Sequence, residues 1–165
     1  MQLKSGTNIV IRPIAPDDRG RLQAAHERLS QKTRYGRFLA TKTRLTPADT
    51  RYLVDVDGFD QVALVATLAD DPERIVGVGR FIRLSEGAKT AELAIVVGDH
   101  FQSEGLGTAL AERLADAARE RGIERFTALM MADNVAVHRL LERLSAQRSS
   151  RRSGAIDEVE LELAS

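Results

Sequence analysis

The chain has 165 residues, 43% of them apolar, a size that suits one domain able to bury roughly two thirds of its unfolded surface. Its 24 basic and 24 acidic side chains cancel, so overall charge gives it no pull towards nucleic acid or an anionic membrane. It has no cysteine, which excludes disulfides, thiolate metal sites and covalent cysteine catalysis and fits a reducing, cytoplasmic setting.

Residues 8–12 read as a first strand, and Pro16-Asp17-Asp18 as a turn that sets carboxylates at a helix N-terminus. Leu22, Ala25, His26 and Leu29 then recur at helical spacing. A second helix is expected after Thr46, which can cap it, with Pro47 in the first helical position. The runs 62–68 and 75–82 predict an antiparallel hairpin closed by Asp70-Asp71-Pro72-Glu73, and the run 90–97 pairs beside it. Leu106, Leu110, Leu114 and Ala118 form an apolar helical stripe ending near Gly122; Val137, Leu140, Leu141 and Leu144 form another. Residues 149–154 are expected as a mobile loop before a last strand, 158–163. Residues 1–10 lack a basic stretch followed by a long apolar one, and no window approaches the ~20 apolar residues of a membrane span. The three histidines, 26, 100 and 138, make no i, i+4 pair, so no metal site is expected.

The most informative stretch is Gln102-Ser103-Glu104-Gly105-Leu106-Gly107, which puts a glycine-bearing turn between a strand and a helix. Early helical N–H groups have no intrahelical partner and the helix dipole adds positive potential there, so such a turn can bind a phosphate or pyrophosphate without a basic side chain. The spacing is not that of a dinucleotide fingerprint, which needs three glycines, nor of a Walker loop, since no Gly-Lys-Ser/Thr follows.

Residue for residue, the segment resembles the acetyl-CoA signature of the GNAT acyltransferase superfamily, [Gln/Arg]-x-x-Gly-x-[Gly/Ala]. Around it, residues 91–97 resemble that family's fourth strand, 106–121 its third helix, 125–131 its fifth strand and 134–144 its fourth helix. Arg12-Pro13-Ile14, Glu27-Arg28-Leu29-Ser30, Arg34-Tyr35-Gly36-Arg37-Phe38, Arg44-Leu45-Thr46-Pro47 and Ala63-Leu64-Val65-Ala66 resemble, more loosely, the bacterial protein lysine acetyltransferases that inactivate acyl-CoA synthetases. The resemblance implies an α/β (α+β) GNAT fold over residues 1–165, a single domain with a mixed, mostly antiparallel twisted sheet of about seven strands and about four helices. It implies acetyl-CoA as co-substrate without a metal, an amine acceptor such as a lysine of an acyl-CoA synthetase or other protein, and a monomer or homodimer. A small-molecule amine acetyltransferase and a non-catalytic acyl-CoA-binding sensor module remain the alternatives.

A lysine ammonium, pKa ≈ 10.4, is not nucleophilic, so acetyl transfer needs a proton acceptor, an oxyanion stabiliser and a held thioester. Glu92 is the one charged side chain in 91–97, and desolvation on a buried strand would tune it as a base. The resembled enzymes carry their glutamate base at the matching place; the other reading is a strand-end carboxylate facing solvent. The resemblance assigns the pantetheine arm to the main chain of Ile95, Val96 and Val97, where an N–H could also stabilise the oxyanion. It assigns the pyrophosphate to Gln102, Ser103, Glu104, Gly105, Leu106, Gly107 and Thr108. Asn134 is either a cofactor contact or a plain helix cap. Family members often carry a tyrosine acid seven residues later, followed by Gly-Phe, where this chain has Leu141 and Ser145-Ala146, so tyrosine-assisted protonation of the thiolate is not expected. His100 and His138 are read as structural or solvated before catalytic. Arg34 and Tyr35 are candidates for the acceptor wall. The basic clusters Arg28, Lys32, Arg34, Arg37, Lys42, Arg44 and Arg148, Arg151, Arg152 are read first as solvated surface, then as contacts for the 3′-phosphate of CoA or an acidic partner.

Overall fold

In the computed structural model, which describes residues 1–30, 45–131, 139, 145–153 and 156–163, the chain forms one seven-stranded sheet. The strands are β1 (Ile9–Pro13), β2 (Gln61–Leu68), β3 (Asp71–Arg83), β4 (Thr90–Val97), β5 (Arg125–Met131), β6 (Ser145–Ser153) and β7 (Ile156–Leu163), in the order β1-β2-β3-β4-β5-β7-β6. Every neighbouring pair is antiparallel except β4 with β5, which is parallel. Among the described residues there are three α-helices: α1 (Arg19–Glu27), α2 (Pro47–Val54) and α3 (Leu106–Glu120). Of the expected fourth helix, 134–144, only Arg139 is among the described residues, and it is helical. No helix among them is long and apolar enough to cross a membrane.

A parallel pair needs a crossover, and α3 supplies it between β4 and β5. Its predicted stripe, Leu106, Leu110, Leu114 and Ala118, is fully buried together with Ala111 and Ala115. The helix comes close because β3 presents Gly77 and Gly79 beneath it. A Cβ on Gly79 would lie 2.8 Å from Leu114 Cδ1, so a side chain there would push α3 off the sheet. On the opposite face α1 and α2 cover Ala63, Val65 and Ile75, with Ile14, Leu22 and Val54 filling the layer between. Thr46 caps α2 as expected, accepting from Asp49 N at 3.1 Å while Asp49 Oδ2 accepts from Thr46 N at 2.9 Å.

Two loop expectations are corrected. Residues 149–153 belong to β6, an edge strand paired along its length with β7, which itself begins at Ile156 rather than 158. A polar, arginine-rich edge strand is held by its backbone ladder and needs no apolar alternation, so periodicity could not reveal it. The hairpin turn is Ala69-Asp70, with β3 already begun at Asp71. Pro72 is tolerated there because the register jumps from Leu68↔Asp71 to Thr67↔Ile75, leaving it out of the ladder.

Asp18, read from sequence as a helix-start carboxylate, is fully buried. It accepts from Arg12 Nη1 and Nη2 at 2.8 and 2.7 Å, from Ala15 N at 2.7 Å and from Arg21 Nη1 at 3.1 Å. Burial alone would raise its pKa; the Arg12 fork, the Ala15 N–H and Arg21 outweigh it, so the folded value lies below the ordinary 3.8. A carboxylate with a lowered folded pKa contributes stability that is complete above the unfolded value and lost as pH falls through the folded one. Asp18→Asn is therefore expected to cost about 3 kcal/mol at pH 7, the low end for breaking a buried pair because both arginines keep some water. Urea denaturation of both proteins should show that deficit constant above about pH 5 and narrowing below pH 4. A deficit independent of pH would mean that shape, not charge, holds this corner.

Candidate active site

β3 and β4 stay paired from Arg83↔Ala91 to Gly77↔Val97. On its other side β4 meets β5 only at Thr90↔Arg125, Ala91↔Phe126 and Glu92↔Thr127, whereas β5 continues along β7 as far as Met131. The sheet thus forks immediately after Glu92. From Leu93 to Val97 one edge of β4 has no strand partner among the described residues, a row of main-chain donors and acceptors available to an extended ligand. Ile95, Val96 and Val97, the residues expected to carry the pantetheine arm, all lie on this free edge and are half-buried.

Past Val97 the chain turns tightly. Gly98 N donates to Val76 O at 2.8 Å, and a 3₁₀ turn, Asp99–Phe101, follows. Gln102 Nε2 donates to Val97 O at 3.0 Å, pinning the loop to the end of β4. Ser103 (φ 64°) and Gly105 (φ 98°) are both left-handed. A non-glycine residue held in that region is locally strained, and such strain gathers at ligand clamps. Alternation through left-handed residues curves a backbone into an anion-binding concavity, here at the N-terminus of the 15-residue α3. Leu106 is buried in the core, whereas Gly107 and Thr108 in the first turn are half-buried. Glu104 is engaged from behind, its carbonyl accepting from Lys4 N at 3.4 Å and its carboxylate from Ser5 N at 3.1 Å.

Glu92 is where the sheet divides, but it is exposed, so the desolvation expected of it is not provided. Its neighbours Ala91 and Leu93 point into the α3 core, which leaves Glu92 on the α1/α2 face, beyond the cover of α2. Exposure leaves the carboxylate accessible to an acceptor or to a water between the two. Asn134, Arg34, Tyr35, His138 and Leu141 lie outside the described residues, and Ser145-Ala146 opens β6. His100 is exposed in the 3₁₀ turn. Of the basic clusters, Arg28 donates to Ile75 O at 3.2 Å, and Arg148, Arg151 and Arg152 sit on β6. Among the described residues no group of three or more His, Cys, Asp or Glu side chains is placed to hold a metal.

One residue here was missed from sequence. Arg80 is the lone charge in the apolar run 75–82, the same signal that singles out Glu92 in 91–97. It is 3% exposed and borders a pocket with about 80 Å³ of accessible space between α1, β3 and the end of β4. That space suits a small group at the end of a larger molecule, not a whole ligand of the usual size.

A mixed sheet that forks beside its central glutamate, with a glycine turn leading into the crossover helix, defines a GNAT-type acyltransferase domain. Residues 27–145 match the Acetyltransferase (GNAT) family, and the chain belongs to that family. It is 33% identical over 147 residues to Acetyltransferase Pat of Mycolicibacterium smegmatis, covering 88% of this chain and 43% of that protein, so it spans less than half of that relative. It is 34% identical over 139 residues to Acetyltransferase PA5475 of Pseudomonas aeruginosa, covering 84% of this chain and 74% of the other. Among solved structures, the GNAT domain of S. lividans PAT superposes with a TM-score of 0.86 at 30% identity, over 99% of this chain and 95% of that one.

Proposed function

We propose that residues 1–165 act as one cytoplasmic acetyltransferase domain that moves an acetyl group from acetyl-CoA to an amine, a protein lysine in the first instance, by direct attack in a ternary complex. The observation that carries this reading is the fork at Glu92, which juxtaposes a free strand edge, an accessible carboxylate and a left-handed turn at a helix N-terminus. Those features suit a long, partly extended ligand ending in a diphosphate: the edge of Leu93 to Val97 matches the amide-bearing arm, and the N–H groups from Ser103 to Thr108 match the pyrophosphate. Acetyl-CoA supplies an activated thioester. Glu92 takes the proton that must leave the ammonium before the amine can attack, directly or through one water. A β4 main-chain N–H beside the fork donates to the thioester oxygen as negative charge develops there. The free amine then forms the C–N bond, the thioester C–S bond breaks and CoA leaves as its thiolate, so with both substrates bound at once no covalent enzyme intermediate is needed.

The looser resemblance of residues 12–14, 27–30, 34–38, 44–47 and 63–66 to bacterial protein lysine acetyltransferases supports a protein acceptor. Release of free thiol, followed while acetyl-CoA is mixed with acyl-CoA synthetases and with small amines, tests the assignment. Thiol release with a matching mass shift on a lysine is the expected result. Release with small amines alone would move the acceptor class, and cofactor binding without release under any condition would leave a sensor module.

A further inference from the structure

Arg80 raises a problem of its own. Its Nε and Nη2 find no hydrogen-bond partner among the described residues, and Nη1 reaches only Leu53 O at 3.5 Å. The guanidinium stands 6.0 Å from the Tyr52 ring centre, a weak substitute for lost water. Around it the pocket is built from Ile14, Leu22, Ala25, Leu53 and Val78. Burial pulls the arginine below its ordinary pKa, as expected of a cation that has surrendered hydration without compensation. The free Nε and Nη2 form one edge of the fork that matches a carboxylate. Arg21 uses the same two nitrogens on Glu73, at 2.7 and 2.9 Å.

Of the other charges on the pocket, Arg28 donates to a carbonyl, Arg74 lies over the Phe101 ring with its Nε unpartnered among the described residues, and Asp99 accepts from Ser30 N. Three guanidinium groups against one carboxylate make the pocket attractive to an anion. The register supplies the link to chemistry. Arg80 lies opposite Ala94 and Ile82 opposite Glu92, so Arg80 and Glu92 are diagonal neighbours on the same face of the sheet, with Cβ atoms about 7 Å apart.

We infer that Arg80 anchors a carboxylate carried by a substrate into this pocket, either at the far end of a dicarboxylic acyl donor or beside the amine of the acceptor. The inference deepens the acyl-transfer reading and rests on it for the identity of the substrates, although binding alone can read it. The bound carboxylate would be gripped through Nε and Nη2 and would fix its substrate one strand away from the base.

Calorimetry on wild type and Arg80→Met, with two pairs of probes, tests this. The donor pair is succinyl-CoA and butyryl-CoA; the acceptor pair, added to CoA-saturated protein, is a lysine peptide with glutamate beside the lysine and the same peptide with glutamine. In at least one pair the wild type should prefer the carboxylate by about 10- to 100-fold, the range for paired charge-assisted hydrogen bonds, and Arg80→Met should abolish that preference. Which pair responds identifies the source. Methionine removes an unpaired buried charge, so its melting temperature should equal or exceed that of the wild type. Should it fold poorly, Arg80→Lys keeps the charge without the fork and should reduce the preference several-fold. No carboxylate preference in either pair, or a preference that survives the substitution, overturns the inference. Acetyl transfer is not required for any of these readings, so an inactive protein would count against the proposed reaction and leave Arg80 separately decided.

Discussion

Glu92→Gln is expected to reduce acetyl transfer by roughly 10²- to 10⁴-fold near neutral pH, the usual range for removing a general base. The amide keeps the size of the side chain, and Glu92 is exposed and unburdened by core packing, so neither folding nor cofactor affinity should change. The deficit should shrink as pH rises towards the lysine pKa of about 10.4, because free amine then becomes available without a base. Rates measured against pH for both proteins on one acceptor test the two statements together. Equal rates at neutrality would remove Glu92 from the mechanism, and a deficit that did not shrink at high pH would assign it to positioning instead.

Gly107→Val is expected to weaken acetyl-CoA binding by 10-fold or more while leaving the apo protein almost as stable as before. Gly107 is the second residue of α3, where valine and glycine differ by only about 0.5 kcal/mol in helical propensity. Helical propensity alone would therefore tolerate the change. A pyrophosphate seated on the first-turn N–H groups would not, because the added methyls occupy the space through which it approaches. Gly105→Val should act differently. Nothing lies within 4 Å of a Cβ built there, but φ is 98°, so the cost is conformational strain of about 1–3 kcal/mol felt by the free protein as well. Melting curves and calorimetry on both variants separate the effects: lost affinity at constant stability for Gly107, lost affinity and lost stability for Gly105. Unchanged affinity in Gly107→Val would remove the turn as the diphosphate site.

Much of this is legible in the sequence. The stripe Leu106, Leu110, Leu114 and Ala118 has one solution in three dimensions, an amphipathic helix, and Thr46-Pro47 carries its cap in its chemistry. The glycine turn was equally readable, since positive φ at Gly105 is a local demand met by a local residue. β6 was not readable, because an edge strand draws its order from the backbone of β7, and no pattern of side chains records that. Residues 70–73 read as a turn for a related reason: proline and acidic residues mark a turn statistically, but the register of β2 against β3 decides where the ladder begins.

The active-site geometry divides along the same line. The residue types and their spacing along the chain determined that a strand, a glycine turn and a helix follow one another, that a single carboxylate sits on the strand, and hence which chemistry is available. Tertiary structure alone decided that β5 pairs with β4 only as far as Glu92, that Glu92 is exposed, that Asp18 is buried among two arginines, and that Arg80 is left with an unpaired fork in an apolar pocket. Each of those facts depends on what a second or third element places beside a residue. Burial and pairing are properties of that neighbourhood, created when distant segments pack, whereas helical periodicity, capping and turn propensity are properties of a few consecutive residues and are already present in the unfolded chain.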